Sequence, residues 1–317
     1  MAVEIEIAHA YRDGDTDTAE VEPAADLGFL PPGVQVHPAF ADEDADILLC
    51  SRDNVLFRVH SLVLRLASGW FRTLFTLPQS PLPAPPLCKR PPPELIPMVE
   101  PADVLAALLG TACGHALPPL DSLPFVEALL HAADKFDMPA ALSVLRLALT
   151  APPLLDAHPV RVYGLACQWG WREEARAAAA RTVGVDLCSR DAVRDMGAVD
   201  APYLARLMLL HRRRREALKA ALDAPGEFYA NCAPGKCSQC QKEIVHAGWL
   251  QLKYAWVAAM ETCPAEVASG RILQRPEVHE VLGATCQHCE RKLYNPEVTM
   301  VKLKAILDRL PTSVDLD

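Results

Sequence analysis

Residues 45–66 read ADILLCSRDNVLFRVHSLVLRL and carry the clearest signal of secondary structure in the first half of the chain. The first six residues are mostly apolar, the next four favour a turn, and Val55–Val59 has the pattern of a second strand. From His60 the spacing of apolar residues becomes helical, because Leu62, Val63 and Leu66 share one helix face. The stretch therefore predicts a β-hairpin followed directly by a helix.

The residues up to 150 extend this pattern with more helices and one strand. Ser68 is placed to cap a second short helix. Nine prolines between Pro78 and Pro97 exclude a helix there, so a proline-rich insertion is predicted near residues 77–93. A short edge strand is predicted after it, and the apolar periodicity then predicts helices over Ala102–Cys113, from Ser122 onwards and over Ala140–Leu149.

This order of elements, together with the residues that form it, resembles a BTB/POZ domain over residues 44–150. The resemblance rests on four segments in the right order and spacing, namely Asp46–Leu49, Phe57–Leu64, Ser68–Phe71 and Leu129–Met138. It implies an α+β fold in which a short-stranded sheet is combined with a helical cluster. It also implies a protein that binds other proteins. The proline-rich insertion departs from compact members of the family.

The resemblance implies roles for several residues near the hairpin. BTB domains commonly dimerise through the first helix, which makes a homodimer the expected assembly. Asp46 and His60 are then expected to organise the structure near the dimer surface. The alternative is that they are ordinary surface residues without a specific role. Leu62, Val63 and Leu66 are expected to take part in the interaction, whereas on general grounds an apolar helix face is more often core.

The charge of the chain is unevenly distributed. The chain has 317 residues and a formal net charge of -9, but residues 1–46 alone hold 12 acidic residues and one Arg. We predict a flexible acidic arm over residues 1–43. The start carries acids where a secretion signal has a basic region, and no apolar run is long enough to cross a bilayer. We expect an intracellular protein, in the cytoplasm or nucleus, without membrane contact.

A helical extension is predicted over residues 151–222. Helices are expected to begin at His158-Pro159 and Ala201-Pro202, with another over Arg172–Val183. The segment resembles the extension of many BTB proteins, and Val162–Ala166 with Trp169-Gly170-Trp171 is similar to fungal BTB proteins.

One basic run, His211–Arg215, lies within this extension. Such a run either binds nucleic acid or forms a solvated face near a helix C-terminus, and we favour the solvated face. The rest of the chain after residue 46 carries no concentrated cationic face, so nucleic acid is not an expected partner.

The last region, residues 223–317, is predicted to be a cysteine-rich helical unit. It holds six of the eleven cysteines, including the pairs Cys237/Cys240 and Cys286/Cys289. Two CxxC loops that face each other supply the four sulfurs of a tetrahedral zinc site. The cations that could offset the charge of four thiolates are Lys236, Lys242, Arg291 and Lys292.

The spacing of the two pairs leaves alternatives open. The pairs are separated by 45 residues, more than in a zinc ribbon, so a long helix around Ile244–Met260 would have to fold back between them. Cys232, Cys263 and His288 are candidate additional ligands, and free thiols or a redox CxxC are the competing interpretations. The sequence has no HExxH helix, which favours a structural zinc site over a catalytic one.

Together these patterns predict a non-enzymatic binding protein. One form of this hypothesis is an adaptor that brings clients to a cullin-type ubiquitin ligase, although the residues after Leu149 do not match the family's cullin-binding extension one by one. A self-associating scaffold or transcriptional regulator is the alternative. The competing class is an enzyme that uses zinc or a cysteine nucleophile, and it lacks a recognisable general base.

Overall fold

The computed structural model describes residues 34–77, 94–224, 227–228 and 235–316. Within these ranges the strands are β1 (Gln35–Val36), β2 (Ile47–Cys50), β3 (Val55–Val59), β4 (Glu94–Pro97), β5 (Gly235–Lys236) and β6 (Glu243–Ile244). The helices up to the end of the predicted BTB segment are α1 (Ser61–Ala67), α2 (Gly69–Leu74), α3 (Ala102–Cys113), α4 (Leu123–Lys135) and α5 (Pro139–Leu149). The later helices are α6 (Pro152–Ala157), α7 (Pro159–Gln168), α8 (Arg172–Thr182), α9 (Arg190–Met196), α10 (Ala201–Asp223), α11 (Ala247–Thr262), α12 (Pro264–Ala268), α13 (Pro276–Leu282) and α14 (Pro296–Asp308).

The predicted hairpin is confirmed as the centre of a four-stranded sheet with the order β1-β3-β2-β4. Strands β2 and β3 are antiparallel, with Ile47 opposite Val59. The turn between them closes through Ser51, whose hydroxyl accepts a hydrogen bond from the Val55 amide at 2.9 Å. Asn54 takes a left-handed conformation, with φ of 61°, which asparagine tolerates better than most residues. Local turn chemistry therefore sets the register of the hairpin.

Regular structure begins at Gln35, within the last ten residues of the predicted arm of residues 1–43. Strand β1 pairs in parallel with β3, and a short 3₁₀ helix follows at Pro38–Phe40. The His37 and Phe40 rings lie 5.0 and 5.4 Å from the Phe57 ring, and Phe40 is buried. Aromatic burial orders this segment despite its acidic neighbours. Residues 1–33, which make up most of the predicted arm, lie outside the described residues.

Strand β4 confirms the edge strand predicted after the prolines. It pairs in parallel with β2 at one edge of the sheet, and the Met98 amide continues the ladder to the Cys50 carbonyl at 2.8 Å. Pro97 has no amide to donate, and an edge position tolerates this. Most of the predicted proline-rich insertion, residues 78–93, lies outside the described residues.

Two segments that carried the family resemblance meet at the start of α2. Ser68 caps the helix by accepting from the Phe71 amide at 3.1 Å, as predicted, and its hydroxyl donates to the Phe136 carbonyl. The Gly69 amide donates to the Asp137 carbonyl at 2.9 Å. A Cβ at residue 69 would lie 1.7 Å from the Asp137 carboxylate, so glycine allows this close approach.

The helices after α5 belong to one compact unit with the helices before them. The described residues divide into two compact units. The first unit comprises residues 34–59 and 94–102, which include the four-stranded sheet, and the second comprises residues 60–77 and the described residues from Asp103 onwards. Within the second unit, Arg161 of α7 makes a bidentate ion pair with Glu127 of α4, at 2.6 and 3.0 Å. The domain boundaries at residues 150 and 222 stay predictions.

The basic run on α10 does not form the solvated face near a helix end that we favoured. The helix continues to Asp223, so His211–Arg215 lies near its middle. Arg214 is 4% exposed and donates to the Pro311 carbonyl at 2.9 Å, while Arg215 pairs with Glu261. Successive residues of a helix point in different directions, so the arginines of this run have different surroundings. Arg214 and Arg215 therefore make contacts within the protein and do not form part of a solvated face.

No helix among the described residues combines the length and the apolar character that a membrane span requires.

Candidate metal centre

The first CxxC pair lies in the tight turn of a small ribbon. Strands β5 and β6 are antiparallel, with Lys236 opposite Glu243, and Cys237 follows β5 directly. The Cys237 amide donates to the Lys242 carbonyl, and the Gln241 amide donates to the Cys237 carbonyl, each at 2.9 Å. Gln241 has a φ of 56°, in the left-handed region that non-glycine residues seldom occupy. The turn places both cysteine side chains on the same side.

The second CxxC pair repeats this turn with a different sequence. The Cys286 amide donates to the Arg291 carbonyl at 2.8 Å, and the Glu290 amide donates to the Cys286 carbonyl at 2.9 Å. Glu290 has a φ of 62°, and an antiparallel bridge joins Thr285 to Lys292 on either side of the loop. Both loops have the CxxC spacing, a basic residue two positions after the second cysteine and an apolar residue four positions after it, so a shared local pattern accompanies their common backbone.

The four sulfurs of the two loops form one cluster. The Cys237 and Cys289 Sγ atoms lie 3.6 Å apart, the Cys240 and Cys286 Sγ atoms lie 3.8 Å apart, and all four lie within 4.8 Å of one another. A disulfide would bring two sulfurs to about 2.05 Å. Sulfurs about 2.3 Å from a tetrahedral zinc ion lie about 3.8 Å apart. The four cysteines are free thiols whose spacing could hold a metal ion.

The backbone of the loops stabilises negative charge on two of these sulfurs. The Cys240 and Gln239 amides donate to the Cys237 sulfur and lower its pKa to about 6. The His288 and Cys289 amides likewise lower the pKa of Cys286. At Cys289 the Arg291 amide also acts to lower the pKa, but desolvation and the three neighbouring sulfurs prevail and raise it to about 12. Four thiolates this close require a cation among them, because like charges disfavour ionisation.

Two apolar residues that sequence reasoning missed close the cluster from behind. Ile244 and Leu293 pack against the cysteines, and Cys237 and Cys286 are each 2% exposed. Each of these apolar residues follows the last cysteine of its loop by four positions, a repeat that would have revealed them. An apolar shell limits the access of water to bound metal and tunes its chemistry.

The 45 residues between the two pairs fold back as helices, as the sequence analysis required. Helix α11 leads away from the first loop, and α12, a 3₁₀ helix at Arg271–Gln274 and α13 return to the second. These helices bury an apolar core that includes Trp249 and Trp256. The His246 Nδ1 and Tyr294 hydroxyl lie 2.8 Å apart and join the segments that leave the two loops. The two halves of the site are thus brought together by a packed core.

The additional ligands suggested by the sequence do not join the cluster in the described part of the chain. Cys263 ends α11 and lies beside the Arg275 guanidinium. His288 is exposed within the second loop, and Cys232 lies outside the described residues. Lys242 and Arg291 are exposed and contribute backbone carbonyls to the turns.

The residues predicted near a dimer surface differ in exposure. Leu62 and Leu66 of α1 are 66% and 75% exposed, whereas Leu64 between them is fully buried. Val63 is half-buried, and His60 precedes the helix as its N-cap residue. Asp46 is exposed just before β2. Leu62 and Leu66 are therefore available to a partner, and the interpretation of these two leucines as core is wrong.

Comparison with known proteins identifies the first part of the chain. A family model described as the BTB/POZ domain matches residues 39–151. The matched range includes every element from β2 to α5. No curated protein matches the chain. The likeness of residues 162–171 to fungal proteins stays a prediction. Residues 39–151 of this chain are a BTB/POZ domain, which is in general a non-enzymatic protein–protein interaction module.

Proposed function

We propose that this protein is a homodimeric adaptor. The BTB/POZ domain joins two copies through α1, and the helices after it hold client proteins. The observation that carries the proposal is the outward apolar face of α1. Leu62 and Leu66 are four positions apart and lie on one side of the helix, while Leu64 anchors the opposite side in the core. Burying both leucines against a second copy would remove much apolar surface from water.

The family resemblance supports a second copy as the occupant of this face. BTB domains commonly dimerise through their first helix, and α1 directly follows the strand that the family motif predicts. In a two-fold symmetric dimer the same patch is used on both copies, which a short helix with leucines at i and i+4 satisfies by packing against its own equivalent. Asp46, directly before β2, and His60, directly after β3, are proposed to organise the surface around it.

The proposal is tested with the double variant Leu62→Glu/Leu66→Glu. We expect the wild-type protein to sediment as a dimer and the variant as a monomer, because four glutamates would meet in the interface. The dimer dissociation constant should rise by about 100-fold or more, since losing two buried leucines costs about 3 kcal/mol or more. Analytical ultracentrifugation at several concentrations measures the change.

Leu147→Glu is the matched control for this experiment. Leu147 lies on α5 and is 74% exposed, so its substitution adds a charge to a similarly exposed leucine. The control should remain dimeric with an unchanged circular dichroism spectrum. The homodimer proposal is contradicted if the wild-type protein is monomeric at about 100 μM, a concentration above the dissociation constants of stable dimers. It is also contradicted if the double variant stays dimeric.

We also propose that the four-cysteine cluster binds one zinc ion with a structural role. Four sulfur ligands complete a tetrahedral shell and leave no position open for a substrate. The two loops that supply them are the ends of one helical segment, so the ion would hold that segment closed. In an adaptor such a unit gives clients a rigid surface.

The adaptor proposal has a specific form in which the protein recruits clients to a cullin-type ubiquitin ligase. Helices α6 and α7 directly follow the BTB segment, in the place of the extension found in many BTB proteins. We expect affinity purification of the intact protein to recover a cullin scaffold, identified by quantitative mass spectrometry against a tag-only control. Repeated recovery of copies of this chain without a cullin would reject this form and favour a self-associating scaffold or regulator.

A further inference from the structure

A cleft of about 550 Å³ lies in the second unit, and its lining includes no residue of the cysteine loops or of α1. Helix α10 forms its floor from Ala205 to Arg215. One wall is the loop of residues 185–188 that follows α8, and the other is the end of α11 at Met260 and Glu261. The cleft therefore lies where the helices after the BTB/POZ segment meet the helices that carry the cysteine loops.

The floor of the cleft is apolar and open to solvent. Met208 and Leu209 of α10 are 48% and 41% exposed, although the next residues on either side, Leu207 and Leu210, are buried in the core. Met260 completes the apolar lining from the opposite wall. Methionine side chains are flexible and polarisable, and proteins use them on surfaces that accept varied partners. Two adjacent apolar side chains left in water on a long helix indicate a surface that is covered by something else.

The dimensions of the cleft favour a peptide over a small molecule. The floor runs from Ala205 to Arg215, a distance of about 15 Å along the helix at 1.5 Å per residue. A small-molecule site encloses most of its ligand, whereas this floor remains half exposed. A segment of two to three helical turns has the length to lie along α10 and cover both apolar residues.

The charges around the cleft define one end of the occupant. Arg212 is exposed at the rim and pairs with no carboxylate among the described residues. Arg215 is already neutralised by Glu261. His211 is uncharged at neutral pH, because burial and then the nearby Arg214 lower its pKa to about 4. Asp186 also lines the cleft, in the wall formed by residues 185–188, and its carboxylate accepts a hydrogen bond from the Cys188 amide at 2.8 Å. Arg212 is thus the exposed cation of the lining that no described carboxylate neutralises, and an acidic residue is its complement.

We infer that this cleft is the client-binding site of the protein, and that its occupant is a short amphipathic peptide segment with adjacent apolar side chains and an acidic residue at one end. The apolar side chains cover Met208 and Leu209, and the acidic residue pairs with Arg212. The inference deepens the proposed adaptor function, on which it rests for its biological role, by giving the class of client.

The experiment is a selection from a phage-displayed library of random 16-residue peptides on the full-length protein. We expect enrichment of sequences that combine an apolar pair with a nearby Asp or Glu. Met208→Glu should remove the enrichment, and a selected peptide should bind this variant about tenfold or more weakly, as expected for a central interface residue. Arg212→Glu should weaken the same peptide about tenfold and reduce its dependence on salt.

Two control variants test the specificity of these effects. Val298→Glu adds a charge at a 51% exposed apolar position on α14, and Arg213→Glu reverses the neighbouring exposed charge on α10. Both should bind the selected peptide as the wild type does. Unchanged melting temperatures of the Met208 and Arg212 variants would show that they fold normally. No enrichment, enrichment of basic peptides, or equal binding by Met208→Glu overturns the inference.

Two other occupants are separated by the same samples. If a second copy of this chain fills the cleft, Met208→Glu will lower the sedimentation coefficient of the protein. If the acidic segment of residues 1–33 fills the cleft, deletion of that segment will tighten the binding of the selected peptide. Either result replaces the inferred occupant and overturns the inference. A wild-type monomer that still selects acidic amphipathic peptides would reject the homodimer and leave the cleft assignment standing, so the two failures are distinguishable.

Discussion

Replacing Cys237 and Cys286 with serine should abolish zinc binding and unfold the helices between the two cysteine loops. The two residues come from different loops, and each is almost fully buried within the sulfur cluster. The wild-type protein should contain about one zinc per chain, because four cysteines complete one tetrahedral site. The double variant should contain almost none. Inductively coupled plasma mass spectrometry on dialysed protein measures both values.

The structural consequence should be large because binding energy at such a site is folding energy. Structural zinc contributes about 10–16 kcal/mol to small zinc-dependent units. Here the core around Trp249 and Trp256 supplies part of the stability independently, so a smaller but still large loss is expected. A loss of 3 kcal/mol or more corresponds to a melting temperature lower by about 10 °C. Chelation of the metal from wild-type protein should give the same shift, and far-UV circular dichroism follows it.

Cys188→Ser is the matched control for this prediction. Cys188 is an exposed free thiol outside the cluster, so its loss should change neither zinc content nor melting. An unchanged melt in the Cys237→Ser/Cys286→Ser variant would reject the structural-zinc proposal. In that case the cysteines would act as redox or nucleophilic residues, and the enzyme hypothesis would become the better one.

The metal site was predictable because its signal is short and local. The CxxC spacing predicts where each pair of sulfurs lies, and the structure brings the predicted four together. The left-handed residues Gln241 and Glu290 were not predictable, since their types do not favour that conformation. The candidate ligand Cys263 fails to join because it ends a helix beside Arg275, a consequence of how the segment folds back.

The sheet shows the same division between local and distant effects. A short apolar run and the turn residues after it predicted the β2–β3 hairpin, but the parallel pairing of β1 with β3 depends on the burial of Phe40 against Phe57. On α10, apolar periodicity does not separate Leu207 and Leu210, which are buried, from Met208 and Leu209, which are exposed. That difference is set by the neighbouring helices, whose positions a single sequence does not specify.

Arg214→Ala should destabilise the protein far more than Arg213→Ala, although the two residues are neighbours in one basic run. Arg214 is buried and donates to the carbonyls of Leu310 and Pro311, at 3.4 and 2.9 Å, in the segment that follows α14. Burial lowers the pKa of its guanidinium, because removing the group from water disfavours its charged form. Removing a charged donor and its packed stem costs about 3 kcal/mol. The exposed Arg213 should contribute less than about 0.5 kcal/mol.

Urea unfolding of the zinc-loaded full-length variants measures this difference, and hydrogen exchange locates it. Amides of residues 310–316 should exchange faster in Arg214→Ala, because the guanidinium no longer holds this segment and Val314 and Leu316 lose their buried positions. Arg214→Lys should restore little, since an ammonium group does not reproduce the planar geometry of the guanidinium. If the run were instead a nucleic-acid patch, both alanine variants would weaken DNA binding to a similar extent and stability would hardly change. Equal unfolding free energies for Arg213→Ala and Arg214→Ala would contradict the structural role of Arg214.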